Sequence, residues 1–159
     1  MDTLGTCLWF DDQAEEAARF YVSIFPNSKI VATSRYPEGV PGPRPAGSVM
    51  TVQFVLNGRD FMGLNGGPQF TFSPAISLVV PCDTQEEVDE LWKKLTEGGQ
   101  EVECGWLTDR FGLSWQIVPK EFFAMMSGPD KTASARAVHA MLGMKKLDLP
   151  TLRRAYENG

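Results

Sequence analysis

Two stretches of the chain, Asp11–Tyr21 (DDQAEEAARFY) and Cys82–Trp92 (CDTQEEVDELW), match each other at a constant offset of 71 residues. Under that offset Asp12 matches Asp83, and the aromatic pair at 20–21 matches Leu91 and Trp92. Each stretch has a helix-capping residue, an acidic first turn and apolar residues on one helix face. An apolar strand precedes each helix and further strands follow it. The match therefore predicts a duplicated unit of one strand, one helix and further strands.

The distribution of apolar residues predicts the other elements. Stretches rich in β-branched and aromatic residues predict strands at 4–10, 29–36, 48–56, 60–65, 75–81 and 113–118. Helices are predicted from Gln13 to about Ile24, with Asp12 as the cap, and from Gln85 to about Glu97, with Asp83 or Thr84 as the cap. Gly98 and Gly99 end the second helix.

The chain beyond Pro119 is predicted to be helical. One helix face there carries Ala137, Val138, Met141 and Leu142, and Asp148 is the predicted cap of a last short helix. The predicted fold is α+β, with modules at about 4–66 and 75–118 in a single domain, followed by a helical tail at about 120–159. The duplication also predicts that the strand at 4–10 pairs with the strand at 75–81.

Composition excludes several classes of function. A net charge of −5 makes sequence-independent binding to nucleic acid unfavourable, because such binding depends on Lys and Arg displacing counterions. No apolar run reaches membrane-spanning length, and the N-terminus shows no secretory signal, so a cytoplasmic protein is expected. The three cysteines, Cys7, Cys82 and Cys104, form no CxxC pair, which predicts reduced thiols.

Two further features leave alternatives open. The segment 37–47 (PEGVPGPRPAG) has four prolines and three glycines, so it is predicted to be a long loop. It is either a mobile hairpin connection or a cover over a pocket mouth. Gln116 lies inside the apolar run of 107–119 (LTDRFGLSWQIVP), where a buried amide must find a hydrogen-bond partner in the chain, a water or a ligand.

The duplicated unit resembles the vicinal oxygen chelate superfamily, which includes the glyoxalase and bleomycin-resistance proteins. Three segments, LWFDDQAEEAARFYVSIFPNSKI, GSVMTVQFVLNGRDFMGLNGGPQFTFSPAISLVV and GWLTDRFGLSWQIVP, look like its PhnB-like branch. Members of that branch often carry the label 3-demethylubiquinone-9 3-methyltransferase. The resemblance covers residues 4 to about 150 and implies two βαβββ modules whose curved sheets surround a cleft.

The resemblance also implies where a site would lie. In metal-dependent relatives the first strand of each module carries a ligand fourteen residues before the aromatic of the helix, which here gives Thr6 and Ser77. The ligands on the last strands fall on Asn65 and Gln116. All four residues are neutral, so neither a metal nor another cofactor is expected. The only histidine, His139, lies in the tail and is expected to be an ordinary helix residue.

The predicted site is therefore a metal-independent, ligand-binding cleft around Thr6, Asn65, Ser77 and Gln116. Aromatic residues are the candidate walls: Trp9, Phe54, Phe61, Phe70, Trp106 and Trp115. Alternatively, the four polar groups satisfy one another and a buried water while the aromatics form the core. The sequence assigns no catalytic residue. Cys104 is the thiol to examine for reactivity, although a small apolar packing role is more common for cysteine, and the sequence does not decide between the two.

These observations leave three functions open. The first is a cytoplasmic small-molecule-binding protein, or a metal-independent enzyme, whose ligand the sequence does not identify. The second is the methyltransferase of the family label, although the connection FDDQAEE lacks the glycine-rich turn of a cofactor-binding fold. The third is a non-catalytic interaction module that uses the tail. A homodimer is expected, because paired sheets would protect their edges and the tail offers apolar helix faces.

Overall fold

The computed structural model describes residues 4–158, which form two compact units, one up to Phe72 and one from Ser73. Unit 1 contains β1 (Thr6–Phe10), α1 (Ala14–Ile24), β2 (Lys29–Arg35), β3 (Val49–Leu56) and β4 (Arg59–Asn65). Unit 2 contains β5 (Ser77–Cys82), α2 (Gln85–Thr96), β6 (Gln100–Glu101), β7 (Trp106–Thr108), β8 (Ser114–Pro119), α3 (Lys120–Ser127), α4 (Lys131–Leu142) and α5 (Leu149–Glu157). No helix among these residues is both long and apolar enough to cross a membrane.

Each unit contains one mixed, four-stranded sheet. The strand orders are β1-β4-β3-β2 and β5-β8-β7-β6. In both sheets the first strand runs parallel to the last strand of its own module, and the other pairs are antiparallel. The predicted α+β fold of two βαβββ modules with a helical extension is confirmed.

The predicted pairing of strand 4–10 with strand 75–81 is wrong, because β1 and β5 belong to different sheets. Each strand pairs instead with the closing strand of its own module, which the parallel crossover through the helix brings alongside. Strands β6 and β7 were absent from the predicted set. They are only two and three residues long, too short for an alternating pattern to identify them.

The N-terminus of α1 is capped by a distant residue. The N-cap position is Gln13, which makes no side-chain capping bond, so the prediction of Asp12 as the cap is wrong. The main-chain N–H of Ala14 instead donates to Oδ1 of Asn65, 2.8 Å away at the end of β4. The Asn65 amide also donates to the carbonyl of Val49 at 3.1 Å. Asn65 is thus a structural residue that ties α1 to β4 and to the start of β3.

The N-terminus of α2 is capped locally, as predicted. Thr84 Oγ1 accepts a hydrogen bond from the N–H of Glu87 at 3.2 Å, and the Glu87 carboxylate accepts one from the N–H of Asp83 at 2.7 Å. The first bond satisfies one of the free donors of the helix start, and the second holds the N–H of the residue before the cap. Gly98, with φ +76°, takes the left-handed conformation that ends the helix.

A buried carboxylate organises the turn between β7 and β8. Asp109 is 2% exposed. Its Oδ1 accepts hydrogen bonds from the N–H groups of Phe111 and Leu113 at 2.9 and 3.1 Å. Its Oδ2 accepts from the indole of Trp115 at 2.8 Å. One side chain therefore fixes both the turn and the first residues of β8.

The helical extension packs on unit 2 through one apolar cluster. The cluster consists of Val118, Phe122, Met125, Ala137, Leu147, Leu149 and Leu152. The predicted apolar face of α4 is partly wrong, because Leu142 is 60% exposed, whereas Ala137 is buried. The extension is also bound through its main chain, since Gln85 donates to the carbonyl of Leu147 at 3.0 Å and accepts from the N–H of Leu149 at 2.7 Å.

Candidate functional site

Each sheet has a side that packs against its own long helix, α1 or α2, and an opposite side, which we call the open face. In unit 1 the helix side is fixed by Gly63, because a Cβ at that position would lie 3.1 Å from Cβ of Ala14 in α1. Leu8 pairs with Gly63 in register, and both Leu8 and Phe10 are buried. Since side chains alternate along a strand, Cys7 and Trp9 lie on the open face.

Thr6 and Asn65 both lie on the helix side of the first sheet. Thr6 is separated from Leu8 and Phe10 by an even number of residues, so its side chain points to the same face as theirs. The Asn65 side chain accepts a hydrogen bond from the N–H of Ala14 in α1. Thr6 pairs with Phe61 and Asn65 pairs with Phe10, so the two residues are about 13 Å apart along the strands. The structure therefore does not bring Thr6 and Asn65 together.

The misplacement has a simple cause. The offset of 71 aligns the helices, but the buried strand residues Leu8 and Phe10 correspond to Val80 and Cys82, at an offset of 72. A one-residue slip moves every strand side chain to the opposite face. The strand counterpart of Ser77 is thus Gly5. The counterpart of Gln116 is Met62, because Cys7 pairs with Met62 as Val79 pairs with Gln116.

The open face of unit 1 contains a hollow of about 380 Å³. Six residues on that side line it: Gly5, Cys7, Val31, Gln53, Asp60 and Met62. Cys7, Met62 and Gln53 are neighbours in one row across three strands. Thr6, Phe54 and Phe61 also border the hollow, but they lie between the lining residues and their side chains point to the helix side.

The thiol in the hollow is a weak nucleophile. Partial burial raises the pKa of Cys7 above its ordinary value, so the group is a neutral thiol at pH 7. Burial, together with the nearby carboxylates of Glu87 and Asp83, raises the pKa of Cys82 to about 11. Cys7 therefore contributes a polarisable, largely apolar surface to the hollow.

Trp9 and Phe70 form an aromatic pair near the C-terminal end of β1. Their ring centroids are 5.0 Å apart in an edge-to-face arrangement, and Phe70 is 56% exposed. The Trp9 indole donates to the carbonyl of Gly67 at 2.9 Å. The loop 37–47 is held at this end, where Arg44 forms an ion pair with Asp11 and the Tyr36 hydroxyl donates to the carbonyl of Asn65. The hollow lies at the other end of β1, so the loop does not cover it.

Three of the predicted wall residues are core residues. Phe54 is 1% exposed and stacks on Phe61 with ring centroids 5.5 Å apart. Tyr21 of α1 approaches Phe54 from the helix side. Trp115 is 2% exposed and donates its indole N–H to Asp109.

The open face of unit 2 carries Ser77, Gln116 and Trp106 side by side. The Gln116 amide donates to Ser77 Oγ at 2.9 Å, and Trp106 pairs with Gln116 in register. Ser114 pairs with Ser77, and Thr108 pairs with Ser114. The partner of the Gln116 amide is thus a serine on the neighbouring strand. This agrees, for this pair, with the alternative in which the polar groups satisfy one another.

Sequence and structure comparisons assign the family. A profile of the 3-demethylubiquinone-9 3-methyltransferase family matches residues 2–118. The chain belongs to this family.

The solved structures similar to this chain include one PhnB protein. The PhnB protein of Bacillus cereus, named for the same methyltransferase, is 40% identical, with a TM-score of 0.67 over 74% of this chain and 99% of its own. Protein PA1353 of Pseudomonas aeruginosa is 22% identical and shares the fold, with a TM-score of 0.60 over 76% and 98% of the two chains. A looser match is the fosfomycin resistance protein FosX of Listeria monocytogenes, at 17% identity, a TM-score of 0.49 and coverage of 73% and 89%. No curated protein matches the chain.

The PhnB-like assignment made from sequence motifs is confirmed. The family profile ends at Val118, immediately before the helices of the extension. The extension is therefore an addition to the part of the chain that the family profile matches.

The residues at the superfamily's metal positions do not fit a divalent transition metal in this PhnB-like chain. When the two modules are aligned on their strands, these positions are Gly5, Met62, Ser77 and Gln116. None of the four supplies a carboxylate, imidazole or thiolate. Within residues 4–158 no group of three or more His, Cys, Asp or Glu side chains is placed to hold a metal ion. The polar side chains at these four positions, Ser77 and Gln116, are neutral hydrogen-bonding groups.

Sequence reasoning missed the hollow residues Cys7, Gln53, Asp60 and Met62. The signal that identifies them is the alternation of β1, where Leu8 and Phe10 are the apolar positions that match Val80 and Cys82. Fixing the alignment on the strands rather than the helices would have selected the odd positions of β1. The bulge at Val31, which re-aims that side chain, leaves no comparable trace in the sequence.

Proposed function

We propose that this PhnB-like protein binds a small molecule in the cytoplasm, in the hollow on the open face of unit 1, without a metal ion. The observation that carries the proposal is the hollow itself. Its volume of about 380 Å³ lies within the range of ordinary ligand sites, about 300–1,000 Å³. Its lining combines apolar surface from Val31, Met62 and Cys7 with polar groups on Gln53 and Asp60. This combination suits a mainly apolar ligand that has one or two polar groups.

The test is a matched pair of substitutions at Cys7. Cys7→Phe places a ring in the hollow, whereas Cys7→Ser keeps its volume. With the neutral dye N-phenyl-1-naphthylamine as the probe, we expect wild type and Cys7→Ser to bind alike and Cys7→Phe to bind at least about fivefold more weakly, because the ring takes the space of the ligand. Fluorescence titration measures the affinities.

Circular dichroism supplies the folding control for both variants. Equal dye affinity in wild type and Cys7→Phe, with both proteins folded, would remove the hollow as the site. The remaining candidates would then be the methyltransferase of the family name and a non-catalytic interaction module.

Metal independence gives a separate prediction. We expect elemental analysis of the purified protein to find no stoichiometric zinc, nickel, iron or manganese, because the positions discussed above offer no strong ligand. The double change Ser77→His and Gln116→Glu adds an imidazole and a carboxylate on adjacent strands. Its affinity for Zn²⁺ should exceed that of wild type. One tightly held metal ion per wild-type chain would contradict the proposal.

Methyl transfer, the reaction in the family name, is the alternative function. Calorimetric titration with S-adenosylmethionine separates it from the binding function. Saturable binding at one site per chain would favour the methyltransferase.

A further inference from the structure

We propose that a groove between α4 and α5 of the helical extension binds an organic monocarboxylate, with Arg136 as the residue that recognises the carboxylate group. The groove lies beyond residue 118, where the family profile ends. It shares no residue with the hollow of unit 1. The proposal therefore does not depend on the function proposed above.

Small side chains on both helices leave the groove open. Its volume is about 620 Å³, within the range of ordinary ligand sites, about 300–1,000 Å³. Ala135 and Ala140 of α4 face Ala155 of α5 across it. The two helices are anchored beside the groove by Ala137 and Leu152, which belong to the apolar cluster of the extension. The groove is therefore an apolar depression on a packed pair of helices.

The Arg136 guanidinium is held at the groove by the end of α5. Its Nε donates to the carbonyl of Ala155 at 2.9 Å, and its Nη2 donates to the carbonyl of Tyr156 at 2.6 Å. Within residues 4–158 no carboxylate pairs with this guanidinium. The two carbonyls occupy its Nε–Nη2 edge, so the Nη1–Nη2 edge can donate two parallel hydrogen bonds to a ligand.

The rest of the lining adds hydrogen-bond donors and no negative charge. Thr132 and His139 of α4 and Asn158 after α5 also line the groove, and each side chain can donate a hydrogen bond. His139 is three residues after Arg136, which places both on the same helix face. None of the described lining residues is acidic. The positive charge of Arg136 is therefore the only formal charge that the lining presents to an anion.

A single guanidinium in an apolar groove favours a monoanion. The two oxygens of a carboxylate match the two N–H groups on one edge of the guanidinium. A phosphate monoester carries about −1.5 to −2 charges at pH 7, more than one guanidinium can neutralise. It would also lie near the carbonyl end of α5, whose partial charge is negative. The alanine walls favour an apolar body on the ligand, so the ligand class is an apolar carboxylic acid.

Three probes that share one ring system provide the test: 2-naphthoate, its neutral amide 2-naphthamide, and 2-naphthyl phosphate. The chain has one histidine, so the imidazole C–H signals of His139 in the NMR spectrum of untagged protein report directly on the groove. We expect 2-naphthoate to shift these signals saturably and to bind wild type more tightly than the amide or the phosphate.

Arg136→Gln removes the charge but keeps an N–H donor for the end of α5. It should weaken 2-naphthoate at least about tenfold, because hydrogen bonds to a charged group are lost, and should leave 2-naphthamide unchanged. Arg154→Gln is the matched control. It makes the same change in the same extension, but Arg154 lies outside the groove lining and bonds to Thr151. This variant should bind 2-naphthoate as wild type does.

Ala135→Leu tests the groove independently of Arg136. Ala135 is exposed and leucine is a strong helix former, so the helix should be retained. The larger side chain should weaken 2-naphthoate and 2-naphthamide alike, because it takes up the space of the ring. Unchanged binding in this variant would overturn the proposal. It is also overturned if 2-naphthoate does not shift the His139 signals of wild type, if it binds no more tightly than the other probes, or if Arg136→Gln and Arg154→Gln affect it equally.

Discussion

Asp109→Ala should lower the free energy of unfolding by about 3–5 kcal/mol, because it leaves two main-chain N–H groups and the Trp115 indole without their acceptor in a buried turn. The carboxylate is 2% exposed, so water cannot replace it without opening the turn. Urea unfolding followed by tryptophan fluorescence measures the change.

Asp109→Asn separates the two parts of this effect. Its oxygen can still accept from Phe111 and Leu113, but its NH₂ group would face the indole N–H of Trp115, donor against donor. We expect a smaller loss, about 1–3 kcal/mol, and a partial recovery when Trp115→Phe is added. A loss in Asp109→Ala below about 1 kcal/mol would show that the turn does not depend on the carboxylate.

Leu147→Ala should destabilise the protein by about 3–5 kcal/mol through the loss of buried contacts and the cavity left behind. Leu147 is 0% exposed and belongs to the cluster that holds the extension on unit 2. A Cβ at Gly105 would lie 3.0 Å from Cγ of Leu147, so the side chain fills space that only a glycine leaves free.

Leu142→Ala is the matched control in the same extension. Leu142 is 60% exposed, and its truncation should change the free energy of unfolding by less than about 0.5 kcal/mol. Thermal or urea unfolding of the two variants gives the comparison. Equal losses in both variants would mean that the cluster around Leu147 does not hold the extension in place.

The sequence predicts the modules well because their signals are local. The cap at Thr84, the acidic first turn and the helix end at Gly98 each lie within a few residues of the helix terminus that they mark, and the structure confirms them. The cap of α1 could not be predicted in this way, because Asn65 lies 51 residues from Ala14 in the chain. Its role depends on the parallel pairing of β4 with β1, which is a contact between residues distant in the sequence.

The relative positions of the candidate site residues were predicted correctly only in the second module, for a similar reason. Ser77, Gln116 and Trp106 share one face of the second sheet, as the resemblance implies. Counting fourteen residues back from Leu91 reaches the correct face of β5 in this module. In the first module the connection between β1 and α1 is one residue longer than that between β5 and α2. The same count back from Phe20 therefore reaches Thr6, on the opposite face of the strand. Burial decides which alternate residues of a strand face the core, and the periodicity of the helix carries no information about that choice.

The loop 37–47 shows how a segment with little secondary structure can be ordered at low cost. Arg44 lies between Pro43 and Pro45, and Pro41 precedes them. Proline fixes its own φ and restricts the residue before it, so the unfolded chain has few conformations here to lose. The ion pair of Arg44 with Asp11 therefore acts on a backbone whose conformational entropy is already low. A glycine- and serine-rich loop of the same length would need more contacts to be held in one place.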